Sequence, residues 1–417
     1  MLDELRRELR FAWGERVFRW TILLVLVFSA FSVFVGAQES TYQRAQLNSL
    51  IDSSMEAQDW ALGGKIDVGD IAYNVIHLTY DPPSPLAFSA LGLRDELPWK
   101  HRLRMLALEG QIHETDAGNP EISALGQLDF AFLVSVLLPL FVIALLFDLD
   151  AMERRSGRYE LLCATSVYGS RLFLVRAVIR CVALFCALAL PFFVIALVSR
   201  VSIVNAGLVL GIVSLHILFW LFMCRLIASQ KLEGVTAGLG LLGFWFLFTI
   251  IVPVGAKGAV EGGIAVPNGG DILLTQRETV NDAWDLPKSA TMEPFLVVHP
   301  EWTDYAEVNR PFEWKWYYAF QQVGDQAAQP LAKALYEGMT ARDAAMAKVA
   351  MLSPALLSER ALMALAETDV SQHLRYVTCA RDFHAGLRHF YYPMLFGEQA
   401  FSEEALSNLP QFQPCTK

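Results

Sequence analysis

Five stretches of the chain are nearly free of charge and long enough to cross a bilayer as helices: Val17 to Ala37, Leu128 to Phe147, Leu172 to Val198, Val201 to Ile227 and Gly234 to Val254. Roughly 20 apolar residues span a hydrocarbon core of about 30 Å as a helix, because lipid offers no partner to an unpaired N–H or C=O. Only Ser199 and Arg200 separate the third and fourth runs, which predicts a tight hairpin. The first run has no small-x-small cleavage pattern after Ala37 and reads as a retained signal anchor. The chain therefore divides into an amphipathic N-terminal helix (1–16), a first span (17–37), a polar region (38–127), spans two to five (128–254, with a charged connection at 148–171) and a C-terminal region (255–417).

The polar regions carry their own signals. Ser40 to Trp60 has helical composition and no breaker, so the chain should leave the first span as an extended helix, and the Pro-rich turn at Asp81-Pro82-Pro83-Ser84-Pro85 then breaks regular structure. Gly255 to Gly270 reads as a Gly-rich linker. Beyond it, Trp302, Trp314, Trp316, Tyr317 and Tyr318 suit either a headgroup-level belt or a packed core. From Gln329 to Phe396 the pattern is helical, with Ser353-Pro354 as an N-cap followed by a first-turn proline, and Asp369 and Ser371 as candidate caps for the next helix. The expected fold is mainly α: a polytopic bundle of about five spans with a mostly helical extracytoplasmic domain built from the loop after span one and the C-terminal region.

Charge sets the expected orientation. Arg6, Arg7, Arg10, Arg16 and Arg19 precede the first span, Arg154, Arg155, Arg158, Arg171 and Arg176 lie between or at the start of the second and third, and Arg225 and Lys231 mark the turn before the fifth. All fall on one side if the N-terminus is cytoplasmic, which places 38–127 and 255–417 outside and, with five spans, the C-terminus outside as well. Of 417 residues 54% are hydrophobic and 18% charged, and the formal net charge of -10 excludes nucleic acid, which demands clustered cations. With that orientation Cys379 and Cys415 face an oxidising compartment, where a disulfide or two free thiols both fit. Cys181, Cys186 and Cys224 read as packing residues within the spans, and Cys163 as a reduced thiol.

Intramembrane polar groups are costly and few. Arg176 and Arg180, four residues apart on one helix face, read as snorkelling toward the cytoplasmic surface, while His216, Asn205 and Arg180 are candidates for a pathway or an inter-subunit contact. Pro139, Pro191 and Pro253 are expected to kink three spans, and Gly238, Gly240 and Gly243 to permit close helix approach in the fifth. Catalytic signatures are missing: there is no Gly-Lys-Ser/Thr phosphate loop, His113-Glu114 lacks a second His, no Gly-x-Ser-x-Gly turn occurs, and His384 and His389 have poor metal spacing. The chain is expected to be neither an enzyme nor a metal protein.

The connection DLDAMERRSGRYELLCATSVYGSR is the most informative stretch. Glu153, Arg154, Arg155, Arg158 and Glu160 offer polar anchors for docking a motor protein, and Tyr159, Leu161 and Leu162 offer packing; a solvated loop that only orients the protein fits the same composition. The run GQLDFAFLVSVLLPLFVIALLFDLDAMERRSGRYELLCA resembles type-2 ABC transporter permeases, whose E-x-x-x-G coupling segment is matched by Glu153 and Gly157. The tail, LSPALLSERALMALAETDVSQHLRYVTCARDFHAGLRHFYYPMLF and LSNLPQF, is similar to a bacterial subgroup with large extracytoplasmic insertions. That resemblance covers nearly the whole chain, but the wider family's sixth span and cytoplasmic C-terminus are absent. It implies a permease of the bacterial inner membrane, working as a homo- or heterodimer and driven by a separate cytoplasmic ATPase that binds ATP and Mg. A periplasmic partner and membrane lipid complete the expected contacts. The alternatives from other classes are a membrane-anchored receptor or assembly factor, and a membrane-embedded enzyme.

Overall fold

The computed structural model describes residues 2–63, 67–114, 128–397 and 407–415. Among them five helices are long and apolar enough to cross a membrane: Arg16–Leu62, Phe130–Arg155, Leu172–Val198, Ile203–Ser229 and Gly234–Gly263, here spans 1 to 5. Span 1 runs on without a break to Leu62, as the breaker-free sequence after Ala37 predicts. Span 2 starts where Asp129 accepts the Phe132 N–H at 2.8 Å, and its other carboxylate oxygen takes the Leu91 N–H at 2.9 Å. One carboxylate thus caps a span and pins the polar loop to it.

The fifth span corrects an expectation. The segment from Gly255 is not a linker; it stays helical to Gly263. Each glycine costs about 1 kcal/mol in a helix, but extending an existing helix needs no new nucleus. Arg342 also donates to the Ile264 carbonyl at 2.8 Å, pairing an end group that the helix leaves free.

Two of the spans contain a π-turn, Leu133–Leu137 and Leu247–Ile251, each directly ahead of a proline, Pro139 and Pro253. In the second, the Val252 N–H reaches back to Leu247, so the next donor in that register for Phe248 is the nitrogen of Pro253, which carries no hydrogen. The third expected kink does not interrupt its helix: Leu172–Val198 is continuous through Pro191. Of Gly238, Gly240 and Gly243, only Gly238 lies against another helix, at Phe147; Gly240 and Gly243 face open space.

Spans 1 and 3 pack together, and Ser29 donates to the Leu188 carbonyl at 3.0 Å. Above them Gly36 allows the polar loop to lie on span 1, since a Cβ there would stand 1.9 Å from the Phe88 carbonyl oxygen. Phe88 then packs on Phe192, which in turn stacks on Phe130.

The second body combines the far end of span 1, an antiparallel hairpin and the C-terminal helices Gly269–Asp282, Lys288–Val298, Trp314–Ala350 and Val370–Leu395. The hairpin pairs β1 (His77–Tyr80) with β2 (Lys100–Leu103), Leu78 opposite Arg102. Its core is aromatic: Phe295, Trp302, Trp316, Tyr318, Phe320 and Tyr392 are buried together, so this aromatic-rich stretch is packed core and not a headgroup belt. Ser353 and Asp369 cap their helices as expected, whereas Ser371 lies inside the helix that Asp369 caps.

The expected boundary that set residues 255–417 apart from the bundle does not hold. The helix Pro354–Ala366 leaves that body and packs into the spans, with Leu362 and Ala366 in the same apolar core as Val209, Val213 and Leu138. Ser353 donates to the Phe248 carbonyl at 2.6 Å, and Ser358 shares a hydrogen bond of 2.8 Å with His216, midway along span 4. The inserted helix therefore seats on the π-turn of span 5 and supplies the partner that Pro253 withholds.

Candidate functional site

The arginine-rich end of the bundle is built around two short helices, Leu149–Arg155 and Tyr159–Thr165. Gly157 joins them at φ +72°, a left-handed conformation that glycine adopts without strain. The preceding span delivers Asp148, Asp150 and Glu153 into a lattice of ion pairs.

Arg176 of span 3 sits at its centre. Its Nε donates to Glu8 Oε2 at 2.6 Å and its Nη1 to Glu153 Oε1 at 3.3 Å, and all three side chains are buried. Arg158 Nε stands 3.1 Å from the second oxygen of Glu153. One turn further along, Arg180 grips both oxygens of Glu15 at 2.7 and 2.8 Å. Asp150 accepts from Arg225 of span 4 at 2.9 Å and faces Arg154 at 3.8 Å, while Arg155 faces Asp148 at 3.7 Å. The N-terminal helix Leu2–Gly14, spans 3 and 4 and the first short helix are thereby tied into one block.

The arginines of span 3 are thus not snorkelling. Buried guanidinium groups are tolerated when carboxylates and further acceptors satisfy them, and here the carboxylates are Glu8 of the N-terminal helix, Glu15 at the N-cap of span 1 and Glu153 of the first short helix. Arg180, a candidate for a pathway or an inter-subunit contact, belongs to this lattice through Glu15.

The eight residues expected to couple to a motor divide by direction. Glu153 is buried, and Arg154 lies half-buried with its guanidinium 4.8 Å from the ring centre of Tyr159. Tyr159 stacks its other neighbour, Phe173, at 4.8 Å. These three point inward and act as struts. Arg155, Gly157, Arg158, Glu160 and Leu161 are exposed, Leu161 at 64%, and no residue of Tyr159–Thr165 is buried. The outer helix therefore presents one apolar side chain flanked by charges, on a base that cannot yield easily.

The remaining candidates separate too. His216, a candidate for a pathway or an inter-subunit contact, is buried and bonded to Ser358 of its own chain. Asn205 is exposed in the first turn of span 4, where Ser202 caps its N–H at 3.1 Å. Cys379 and Cys415 are joined as a disulfide, Cα to Cα 6.2 Å. Cys181 and Cys224 are buried as expected, Cys163 is half-buried, and Cys186 is exposed on its helix instead of packed. Among the described residues no cluster of His, Cys, Asp and Glu suited to a metal ion occurs.

Residues that sequence reading passed over hold the second body together. Asp325 caps the helix Leu108–His113 by accepting the Leu108 and Glu109 N–H groups at 2.9 and 3.0 Å, and it pairs with Arg388. Arg381 clasps Glu109 at 3.0 and 2.7 Å. Burial alone would push the Glu109 carboxyl up, but its hydrogen bonds to His113 and Arg381 hold it below the ordinary value. No spacing in the sequence announces the Asp325–Arg388 and Glu109–Arg381 pairs, whose partners are 63 and 272 positions apart.

Residues 272–414 match the model of a family described as a domain of unknown function, DUF3526. The matched stretch takes in the aromatic core helices and the inserted helix, so this likeness concerns the second body and its seat in the bundle. No curated protein and no solved structure matches the chain.

Proposed function

We propose that the chain is the membrane-spanning subunit of an ATP-driven exporter, moved by a separate ATPase that docks on the helix Tyr159–Thr165 from the cytoplasm. One observation carries the reading: a short helix with no buried residue is mounted on a lattice of buried ion pairs reaching the N-terminal helix and two spans. A push on its exposed face passes through Arg158 and Glu153 to Arg176, and so to span 3 and Glu8, without first compressing a soft contact. The resemblance to type-2 ABC permeases at Glu153 and Gly157 supports the same role, and on this reading ATP and Mg are bound by the partner. The arginine-rich flanks support a cytoplasmic N-terminus, with the second body outside. A second permease, identical or related, completes the expected assembly.

The lattice decides which residues test this. Glu153 is a poor probe because its loss harms folding, whereas Leu161 and Glu160 are exposed. Tagged chain purified in mild detergent should carry a phosphate-loop ATPase, identified by mass spectrometry, and Leu161→Asp with Glu160→Lys should cut its recovery at least tenfold at an unchanged melting temperature. Recovery of no ATPase, or undiminished recovery with the double variant, overturns the reading.

A further inference from the structure

At the opposite end of the molecule a cleft of about 790 Å³ opens between the distal half of span 1's helix and the β1–β2 hairpin. It is within the size range of sites for small organic ligands. Leu50 from the helix, Leu78 from β1 and Leu106 after β2 form its apolar wall.

Its other wall is cationic for a reason that the strand period supplies. His101 and Leu103 face the core, where His101 Nδ1 lies 2.7 Å from the Tyr376 hydroxyl and Leu103 is fully buried. Side chains alternate along a strand, so Lys100 and Arg102 face the other way and Arg104 extends the series into the cleft. Alternate positions are about 7 Å apart, which spreads three cations over roughly 13 Å.

Among the described residues no ion pair joins Lys100, Arg102 or Arg104 to a carboxylate, although the chain as a whole carries a formal -10. Of the two acids lining the cleft, Glu96 is exposed and makes no ion pair with these cations, Glu114 faces Arg277 at 3.4 Å, and the fourth cation, Arg94, is already held by Asp81 at 2.7 Å. Lys100 stands 5.0 Å over the ring of Trp99, which keeps its ammonium at the cleft mouth. Three like charges along one strand face repel one another and are relieved by a bound anion. Arginine forks match phosphate oxygens two at a time, and a phosphate monoester carries close to two charges with three acceptor oxygens.

We propose that this cleft binds an amphiphile bearing a phosphate monoester, its head on Lys100, Arg102 and Arg104 and its apolar portion along Leu50, Leu78 and Leu106. The inference does not depend on motor docking, because it concerns a site at the other end of span 1.

The test uses the full chain in a non-ionic detergent, titrated calorimetrically with dihexanoyl phosphatidate, dihexanoyl phosphatidylcholine and inorganic phosphate. Dihexanoyl phosphatidate should bind saturably, at least tenfold tighter than either of the others. Arg102→Gln with Arg104→Gln should weaken it tenfold or more, and Leu50→Gln should weaken the phosphatidate but not inorganic phosphate. Circular dichroism and melting temperature confirm that the variants fold, as expected where, among the described residues, neither arginine takes part in an ion pair. Absence of saturable phosphatidate binding, binding unchanged by the arginine variants, or inorganic phosphate binding as tightly as phosphatidate would each overturn the proposal.

Discussion

Ser353 gives its hydroxyl hydrogen to the carbonyl of Phe248 at 2.6 Å, filling the place left empty because Pro253 has no N–H. The same Ser353 oxygen accepts the Leu356 N–H at 3.2 Å, so a single hydroxyl caps the inserted helix and repairs span 5. Ser353→Ala removes an N-cap, about 1 kcal/mol, and strands a part-buried carbonyl, a further 1 to 3 kcal/mol or so. The expected loss is therefore roughly 2 to 4 kcal/mol in detergent unfolding. Pro253→Ala restores a donor, and in its background Ser353→Ala should cost only the cap. Equal costs in both backgrounds would show that the carbonyl was never orphaned.

The lattice at the arginine-rich end predicts a split between strut and surface. Arg176→Met leaves Glu8 and Glu153 buried without their shared cation, and breaking a buried pair in this way costs about 3 to 5 kcal/mol. Leu161→Asp, at an exposed position, should shift stability by less than about 0.5 kcal/mol. Thermal unfolding of the two variants in one detergent distinguishes them, and similar losses would contradict the division.

What the sequence discloses and what it conceals follow one physical line. The spans are legible because about 20 uncharged residues have few other uses, and Ser353 and Asp369 are legible because a cap acts within three residues of itself. Arg176 and Arg180 mislead because span 3 holds no acid; their partners Glu8 and Glu15 lie 168 and 165 positions away. The inserted helix escapes notice for a different reason. Thirteen residues containing Ser358, Glu359 and Arg360 are too short and too polar to be read as crossing a membrane, and only the contacts of Leu362 and Ala366 place them in the bundle. In the charged connection between spans 2 and 3, the sequence shows where the charges cluster but cannot say which of them face inward.

Buried histidines give the second body a pH response. His77 is buried with neither ring nitrogen hydrogen-bonded, and burial pushes its pKa from 6.5 down to about 4. His373 is pushed down to about 4 and His384 lower still, both first by burial. The folded form holds these rings neutral, so as pH falls below about 6.5 the unfolded chain takes up protons first. Stability is complete above that value and drains between 6.5 and 4, with His77 alone contributing a loss of about 2 kcal/mol by pH 5. Melting temperatures from pH 7.5 to 5 should fall, and His77→Leu should flatten part of that slope. A variant with an unaltered slope would remove His77 from the account.

The Cys379–Cys415 disulfide closes a loop with a sequence separation of 36, which in the chain-entropy treatment restricts the unfolded state by about 4 kcal/mol. It also reports on sidedness, because such a bond persists in an oxidising compartment and not in a reducing cytoplasm. In intact cells lysed into acid, a maleimide-polymer reagent should modify neither cysteine until a reductant is added, giving two further additions on a variant with Cys163, Cys181, Cys186 and Cys224 changed to serine. Cys379→Ser on that background should lower the melting temperature by several degrees and leave Cys415 reactive without reductant. Full labelling of both thiols before reduction would place this end of the chain on the reducing side and reverse the orientation inferred from the arginines.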